Sequence, residues 1–396
     1  MAAQQPGSGK TAARSTKREG RAAEPIGTAL IGLGRVAPTH AEALASLPRS
    51  RFVGVYDDDP DRVKAFAERY HVRSYPSLER LLTDTDVQMV SICTPHPTHA
   101  RLSILAAEAG LHVLVEKPMA VSLADCDAMI DAAAAHGVTL GVVSQRRFYE
   151  PVQRVRQAIS EGRIGKPVLA TLVVLGWRGA DYYRSDPWRG TWAGEGGGVL
   201  LNQVSHHLDL LQWFMGPAEE LFGYWANLNH AYIEVEDTAI AVLRFSSGAL
   251  GSIVVSNSQD PGLHGRIHVH GQTGASVGVQ TETGSSFVAG ETTKVPPPIN
   301  DIWTIPGEEH LLRRWQRQDR GRTARIDIAT HYHRLQVEEF LEAIAARRAP
   351  LVSGEEGRKS VEIAAAIYRS QAEHARIGFP IAARNDGGRS PGPRLP

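Results

Sequence analysis

The sequence predicts an α/β protein that begins with a doubly wound parallel sheet and continues into a second, largely antiparallel domain. Up to residue 143, short apolar runs alternate with segments of helical periodicity, as in a parallel sheet covered by helices on both faces. Beyond residue 217, segments of alternating polarity follow one another across glycine-containing turns, which favours antiparallel strands. The 396 residues also exceed one typical core and suit two domains.

Composition and charge exclude several classes of function. Basic and acidic residues number 43 each, so no net field attracts nucleic acid or a membrane surface. No apolar run approaches the ~20 residues that a transmembrane helix needs. Cys93 and Cys126 lie in apolar periodic segments, where buried free thiols are favoured over a disulfide. So few cysteines fit a reducing compartment, and we expect a cytoplasmic protein.

The two ends of the chain differ from its middle. Residues 1–24 are rich in Ala, Gly, Ser and basic side chains, and residues 381–396 are rich in Gly, Pro and Arg. We expect a disordered arm and a disordered tail there, and the arm lacks the apolar stretch of an export signal. Between them we expect two domains, one over residues 25–148 and the other over residues 149–380.

A glycine turn follows the first predicted strand at residues 28–31. In Gly32-Leu-Gly34 one glycine allows the tight turn and the other lets the backbone approach a pyrophosphate, which would lie at the N-terminus of the next helix. Glycine also serves such turns for geometry alone, so the motif by itself is weak. We expect the cofactor to contact Gly32, Gly34, Arg35 and Val36.

The second predicted strand, residues 52–56, ends at Asp57. An acidic side chain at this distance from the glycines is placed to accept hydrogen bonds from the adenosine ribose hydroxyls and to repel a 2′-phosphate. NAD is therefore favoured over NADP, and Arg35 is the residue that would soften this preference. The alternative is that Asp57 serves only the turn before the next helix.

Two later strands end in polar residues at the edge where α/β sheets bind ligands. Residues 87–93 end in Thr94-Pro95-His96, and the apolar run after His112 ends in Glu116-Lys117-Pro118. We expect Thr94, Pro95, His96, Glu116 and Lys117 to border the cofactor. A solvated lysine in a connecting loop would give the same pattern around Lys117.

These segments resemble the Gfo/Idh/MocA oxidoreductases, named for glucose-fructose oxidoreductase and inositol dehydrogenase. The resemblance is carried by Gly32-Leu-Gly34 and residues 90–95 and 109–118, of which the last is the most specific. It implies a Rossmann domain, then an α/β domain with a large, mostly antiparallel sheet that pairs subunits into a homodimer or homotetramer. It also implies sugar or cyclitol substrates, contact between Lys117 and the substrate, and often a cis Lys-Pro bond.

An aromatic and polar loop over residues 177–189 follows the predicted strand at 168–175. Tyr, Trp and Arg together suit carbohydrate faces and hydroxyls. We expect Tyr183, Trp188 and Arg189 to face the substrate. The alternative is a loop that only covers the edge of the sheet.

A second signature lies in residues 196–213, where three glycines precede an amphipathic helix. Asn202 and His206 are four residues apart and should share a helical face, and Asp209 could orient the imidazole. The resemblance implies an aspartate and a general-base histidine at this spacing. Here the first position is Asn202, an amide that orients a hydroxyl but does not ionise. The pattern contains no zinc motif, so no metal is expected.

The sequence thus predicts an NAD-dependent dehydrogenase acting on a secondary hydroxyl of a sugar, sugar derivative or cyclitol. His206 would take the hydroxyl proton, Lys117 would steady the developing alkoxide, and Asn202 would orient the substrate. Two alternatives remain open. One is a ketosugar reductase that uses NADP or a tightly bound cofactor, and the other is a non-catalytic nucleotide-sensing protein, suggested by Asn202.

Overall fold

The computed structural model describes residues 24–283 and 296–381. The arm and the tail that the sequence predicts lie outside the described residues, apart from Glu24 and Ile381. No helix in the described ranges has the length and apolar character needed to cross a membrane.

The first part of the chain forms a six-stranded, all-parallel sheet in the order β3-β2-β1-β4-β5-β6, which confirms the doubly wound prediction. Its strands are β1 (Ile26–Ile31), β2 (Ser50–Tyr56), β3 (Arg73–Ser74), β4 (Met89–Ile92), β5 (His112–Val115) and β6 (Leu140–Val142). Its helices are α1 (Ala37–Ser46), α2 (Pro60–Tyr70), α3 (Leu78–Leu82), α4 (His99–Glu108) and α5 (Leu123–Ala135).

Polar caps explain where several of these helices begin. The side chains of Asp59, Ser77 and Ser122 accept hydrogen bonds from main-chain N–H groups in the first turns of α2, α3 and α5. These bonds satisfy donors that have no partner inside a helix. The alternation of capped helices with buried strands fixes the topology and brings all the strands' carboxyl ends to one edge.

The second part forms a seven-stranded sheet in the order β12-β11-β7-β10-β9-β8-β13, in which β7 and β10 are parallel and the other pairs antiparallel. The strands are β7 (Pro167–Leu175), β8 (Ala218–Ala226), β9 (Thr238–Phe245), β10 (Leu250–Ser256), β11 (His264–Gly271), β12 (Ser276–Thr283) and β13 (Ile377–Gly378). The helices are α6 (Glu150–Ser160), α7 (Ala180–Arg184), α8 (Trp192–Glu195), α9 (Ser205–Met215), α10 (Glu309–Thr323), α11 (Ile328–Ala346) and α12 (Gly354–Glu373).

The segment predicted as one helix over residues 196–213 is divided in two. Val199–Gln203 forms a π-helical turn, and α9 starts only after Val204, whose N–H donates to Val199 O at 3.0 Å. The buried carboxylate of Glu236 accepts hydrogen bonds from Gly198 N and Leu200 N, both at 2.9 Å. These bonds hold the wider turn in place and change the helical phase between Asn202 and the residues of α9.

The predicted domain boundary between residues 148 and 149 separates the two sheets, but side chains from both sides of it pack into a shared core. Phe340 and Leu341 of α11 share a buried core with Leu44 of α1 and Leu114 of β5. The segment before α12 also pairs with β6 through the main chain, since Val142 N donates a hydrogen bond to Val352 O at 3.0 Å. The C-terminal helices therefore pack against both halves of the molecule.

Candidate active site

A cavity of about 670 Å³ lies between the carboxyl edge of the parallel sheet and the second sheet. Residues from both halves line it, among them Gly34, Asp57, Lys117, Tyr182 and His206. Most of the predicted site residues thus meet in one place, although they are spread over more than 170 positions of the chain. This is the edge at which open α/β sheets bind ligands.

The glycine turn between β1 and α1 has a geometry that fits a dinucleotide. Gly32 has φ +88°, and a Cβ there would lie 2.6 Å from Thr94 Cγ2, so the tight turn requires glycine. Gly34 faces open space, with no atom within 4 Å of the position its Cβ would take. Val36 precedes the first turn of α1 and also lines the cavity. A pyrophosphate would fit over Gly34, beside the main-chain N–H groups that begin α1.

Asp57 lies at the end of β2, on the cavity wall. Its Oδ2 accepts a hydrogen bond from Leu33 N at 2.7 Å and its Oδ1 accepts one from Asp59 N at 2.9 Å. The carboxylate therefore both supports the glycine turn and faces the region beyond it. The ribose role and the turn role, which the sequence left as alternatives, are compatible in this geometry.

The loop after β4 forms the next part of the wall. Thr94, Pro95 and His96 all line the cavity. His96 is buried, its Nδ1 donates to Glu195 O at 2.9 Å, and its ring lies 4.9 Å from the Trp188 ring. Burial lowers the pKa of His96 well below its usual value, so the imidazole is neutral. This loop joins the cofactor side of the cavity to the substrate side.

Glu116 is held by groups from opposite ends of the chain. Its Oε1 lies 2.9 Å from His40 Nε2 in α1 and 3.5 Å from His333 Nε2 in α11, and its Oε2 accepts from Lys117 N at 2.9 Å. Burial alone would raise the pKa of Glu116, but the hydrogen bonds from His333 and His40 hold it well below its usual value. Glu116 is therefore a fixed negative charge directly before Lys117.

These three side chains also form the one group in the described ranges with the donor set and spacing of a metal site. The second ring nitrogen of each histidine already has a partner in the protein. His40 Nδ1 lies 2.8 Å from Ser91 Oγ, and His333 Nδ1 donates to Ala329 O at 2.7 Å. These bonds orient the two rings so that their Nε2 atoms face Glu116 Oε1.

Lys117 follows β5 and lines the cavity, and its bond to Pro118 is cis. Its Nζ donates to Asn202 O at 3.0 Å and to Asn202 Oδ1 at 3.1 Å. Burial lowers the pKa of Lys117 to about 8, against the opposing effect of Glu116. A lysine in this state is protonated at neutral pH and gives up a proton readily.

His206 lies at the start of α9 and is 6% exposed. Burial, then Arg146 and Lys117, lower its pKa well below the usual value, so the ring is a neutral base at neutral pH. The expectation that Asp209 orients this ring is wrong. Asp209 instead binds Arg147 through both oxygens, at 2.6 and 2.8 Å, because the buried guanidinium requires a charged partner.

The loop after β7 closes the substrate side. Trp188 and Arg189 line the cavity as expected. The Arg189 guanidinium lies 4.5 Å from the Trp188 ring centroid and donates to Asp186 Oδ2 at 3.0 Å and to the Tyr182 hydroxyl. Asp186 also lies 3.6 Å from Arg35 Nε. This ion pair links the loop to the glycine turn across the cavity.

Tyr183 does not line the cavity. It is 6% exposed and packs behind Tyr182 against His230 and Tyr232, with its hydroxyl 3.4 Å from Asn257 Nδ2. Tyr182 is the tyrosine on the cavity wall, where it also accepts from Asn202 Nδ2 at 3.2 Å. The structure therefore replaces Tyr183 with its neighbour in the set of substrate-facing candidates.

Comparison with known proteins identifies the family. The Gfo/Idh/MocA oxidoreductase model with an NAD-binding Rossmann fold matches residues 26–144, and the Gfo/Idh/MocA C-terminal domain model matches residues 152–277. The chain belongs to the Gfo/Idh/MocA oxidoreductase family. The family model and the glycine turn together identify NAD as the cofactor, as the sequence predicted.

Relatives of this Gfo/Idh/MocA protein align over nearly their whole length. A structure of the WlbA dehydrogenase from Bordetella pertussis with NADH and UDP-GlcNAcA is 31% identical, with a TM-score of 0.80, over 91% of this chain and 99% of that one. Myo-inositol 2-dehydrogenase from Thermotoga maritima is 29% identical over 88% of this chain and 97% of its own length. Inositol 2-dehydrogenase from Rhizobium meliloti is 26% identical over 88% and 98%.

Several residues of this Gfo/Idh/MocA site were missed by the sequence reasoning. Gln145 and Arg146 lie in the turn shortly after β6, and Arg178 lies shortly after β7, and all three line the cavity. Their position at the carboxyl ends of strands was a usable signal. Arg146 donates to the ring of His207 at 3.0 Å, which explains why this second histidine also borders the cavity.

Proposed function

We propose that the protein oxidises a secondary hydroxyl of a sugar, sugar derivative or cyclitol, with His206 as general base and Lys117 as the residue that steadies the alkoxide. The observation that supports this is the meeting of a neutral buried histidine and a lysine of lowered pKa on the wall of one cavity that also contains the glycine turn. Groups with pKa values shifted in this way are typical of catalytic sites.

The protein's residues divide the reaction between them. NAD, when bound over Gly34, would supply the acceptor for the two electrons that leave the carbon bearing the hydroxyl group. His206 accepts the hydroxyl proton, because its ring is uncharged at neutral pH. Lys117 donates a hydrogen bond to the same oxygen as its negative charge develops, in a cavity where burial strengthens that interaction.

The wall opposite the glycine turn suits a polyhydroxylated ring. Tyr182, Trp188 and Arg189 offer aromatic faces and hydrogen-bond donors, and Asn202 offers an amide. The relatives act on cyclitols or, in the WlbA complex, hold a nucleotide-linked sugar acid. Both belong to the proposed class, and Arg178 and Arg189 together suit a substrate that also carries an anionic group.

A substrate panel tests the proposal. The native chain is mixed with NAD and with inositols, hexoses, pentoses, anhydrosugars, glycosides and nucleotide-linked sugar acids, and NADH formation is followed by absorbance. We expect turnover within one of these groups. NADH binding without turnover of any member, in either direction, would contradict the proposal and would favour a nucleotide-sensing protein.

We further propose that copies of the chain pair through the open face of the second sheet. β9 alternates buried residues with exposed ones, and Ile240 and Val242 are 51% and 60% exposed. Tyr224 lies opposite Ile240 on β8, and Leu250 of β10 is on the same face. An exposed sheet face with apolar residues of this kind suits pairing with a second copy of itself.

Sedimentation velocity tests the pairing. The native chain is expected as a dimer or tetramer, and Ile240→Glu combined with Val242→Glu should give a folded monomer. Arg317→Glu, an exposed change on α10, is the matched control and should leave the mass unchanged. A native monomer at micromolar concentration would contradict the proposal.

We also propose that the protein is cytoplasmic. Cys93 and Cys126 are both buried free thiols. Burial raises the pKa of each above its usual value, so neither is a reactive thiolate. Buried reduced thiols support the assignment of the protein to the cytoplasm.

A further inference from the structure

One buried acid beside the cavity has no part in the reaction described so far. Glu195 is the last residue of α8 and is fully buried. Its Oε2 accepts a hydrogen bond from Gly190 N at 2.6 Å, and its Oε1 accepts one from Asn202 Nδ2. The carboxylate therefore lies directly behind the amide that contacts Lys117.

Hydrogen bonding settles which way this amide points. Burial raises the pKa of Glu195, while the hydrogen bonds from Asn202 and Gly190 favour its ionised form. The ionised carboxylate only accepts hydrogen bonds, so Asn202 presents its NH₂ to Glu195 and its oxygen to the other side. On that other side lies the Lys117 ammonium, which only donates. With the amide reversed, the ammonium would face two N–H donors and the carboxylate would face an oxygen.

The same contacts determine the orientation of the lysine. Lys117 Nζ donates to Asn202 Oδ1 and to Asn202 O, at 3.1 and 3.0 Å. Two of its three protons are thereby committed, and the third is left for the cavity. Glu195 does not line the cavity itself, so it acts on Lys117 through its hydrogen bond to Asn202 and through its charge.

We propose that Glu195 is a positioning residue for Lys117, acting through the Asn202 amide, which relays the influence of a buried carboxylate to the lysine. This inference rests on the proposed function, in which Lys117 steadies the alkoxide. The carboxylate that the family resemblance implies at position 202 is thus supplied by Glu195, one side chain further from the lysine than a direct ion pair would be. The amide transmits orientation and part of the electrostatic stabilisation.

These hydrogen-bond requirements predict what happens when the carboxylate and the amide are exchanged between positions 195 and 202. After Glu195→Gln, one amide oxygen has to accept from Gly190 N, so the new NH₂ faces Asn202. Asn202 must then reverse and turn its own NH₂ towards Lys117. After Asn202→Asp together with Glu195→Gln, the new amide accepts from Gly190 N and donates to the new aspartate, and Lys117 again faces an acceptor.

Steady-state kinetics of the four combinations test the proposal with the substrate found in the panel. We expect Glu195→Gln to lower kcat/KM by about a hundredfold with NADH binding unchanged, as for a misplaced catalytic group. Asn202→Asp alone buries two adjacent carboxylates and should also lose activity. The double variant should recover most of it. An equal loss from Glu195→Gln in both backgrounds would mean a purely structural role and would overturn the proposal.

A readout without turnover separates this inference from the proposed function. The rate at which an amine-acylating reagent labels Lys117, followed by mass spectrometry between pH 6 and 10, reports the fraction of neutral lysine. Glu195→Gln should raise labelling at pH 7 by about fivefold, because a stabilising negative charge is lost, and the double variant should reverse the change. Unchanged labelling overturns the inference, whether or not the native chain oxidises a sugar.

Thermal unfolding of all four proteins serves as the control that each variant is folded. If Glu195→Gln alone does not fold, the double variant decides. A folded double variant with native labelling of Lys117 supports the proposal, and a folded double variant with the lysine still altered overturns it.

Discussion

On the cofactor side of the cavity, recognition depends mainly on the main chain, whereas on the substrate side it depends on side chains. The cofactor wall consists of a glycine turn, the beginning of α1 and loops that follow β2 and β4, with Asp57 as its principal charge. The substrate wall consists of Lys117, His206 and a loop whose tyrosine, tryptophan and arginine contact one another. Main-chain sites leave strict traces in sequence, since only certain residues permit them, and side-chain sites tolerate many solutions.

The largest expected effect comes from removing the lysine on the substrate side. Lys117→Met keeps the apolar length of the side chain but removes the donor to the alkoxide, so we expect turnover to fall by about a thousandfold or more. Binding of NADH, measured by fluorescence titration, should be retained. Lys166→Met, a change outside the cavity lining, serves as a control. Unchanged turnover would remove Lys117 from the proposed mechanism.

On the cofactor side, Gly34→Val should have the opposite profile. The Cβ position of Gly34 is open, so the variant should fold, but its side chain would occupy the place of the pyrophosphate. We expect the Kd for NADH to rise by roughly a hundredfold. Gly321, in α10, also has no neighbouring atom within 4 Å, and Gly321→Val should leave NADH binding unchanged. Equal binding by both variants would exclude the glycine turn as the cofactor site.

The principal charged group of the cofactor wall gives a smaller effect. Asp57→Ala should weaken the use of NAD by about tenfold and the use of NADP much less. The reason is that the carboxylate accepts hydrogen bonds from the ribose hydroxyls and repels a 2′-phosphate. The ratio of kcat/KM with the two cofactors measures this. Asp58→Ala, the neighbouring change on the same wall, is the control. Equal losses with NAD and NADP would restrict Asp57 to its bond with Leu33 N.

The smallest effect concerns pH. Lys117 stabilises the alkoxide only when protonated, and its pKa is about 8, so this contribution is present below pH 8 and is lost as pH rises through it. His206 has a pKa well below its usual value, so the base form is present throughout the neutral range. A profile of kcat/KM should therefore be level near pH 7 and fall to about half at pH 8. A profile that keeps rising beyond pH 9 would contradict the protonated role of Lys117.

The difference between the two walls also explains what the sequence could predict. The glycine turn, Asp57 and the strand ends at Thr94 and Glu116 were found because each follows an apolar run at a required spacing. Asn202 and His206 were found through a motif, but the π-helical turn between them has no signature in periodicity. Asp209 was wrongly paired with His206 because its actual partner, Arg147, is 62 residues away in sequence and becomes its neighbour only in the fold.

The substrate loop shows the same limit at finer scale. Tyr182 and Tyr183 are adjacent in a helix of five residues, so only the tertiary structure decides which of them faces the cavity. Glu195 carries no pattern at all, because its importance comes from Asn202 and Gly190, its hydrogen-bond partners. The α10 helix was also missed, since its strongly polar sequence has few apolar residues to reveal a period.

The packing of α11 against α1 has a consequence for protein engineering. Phe340 and Leu341 complete the core around Leu44, and His333 contacts Glu116 from the far end of the chain. A fragment that stops near residue 144 would therefore expose apolar surface and lose one contact of Glu116, the residue before Lys117. Fusing this cofactor half alone to a foreign second half would leave the same core incomplete. A chimera would have to carry α11 along with the cofactor half from which it is distant in sequence.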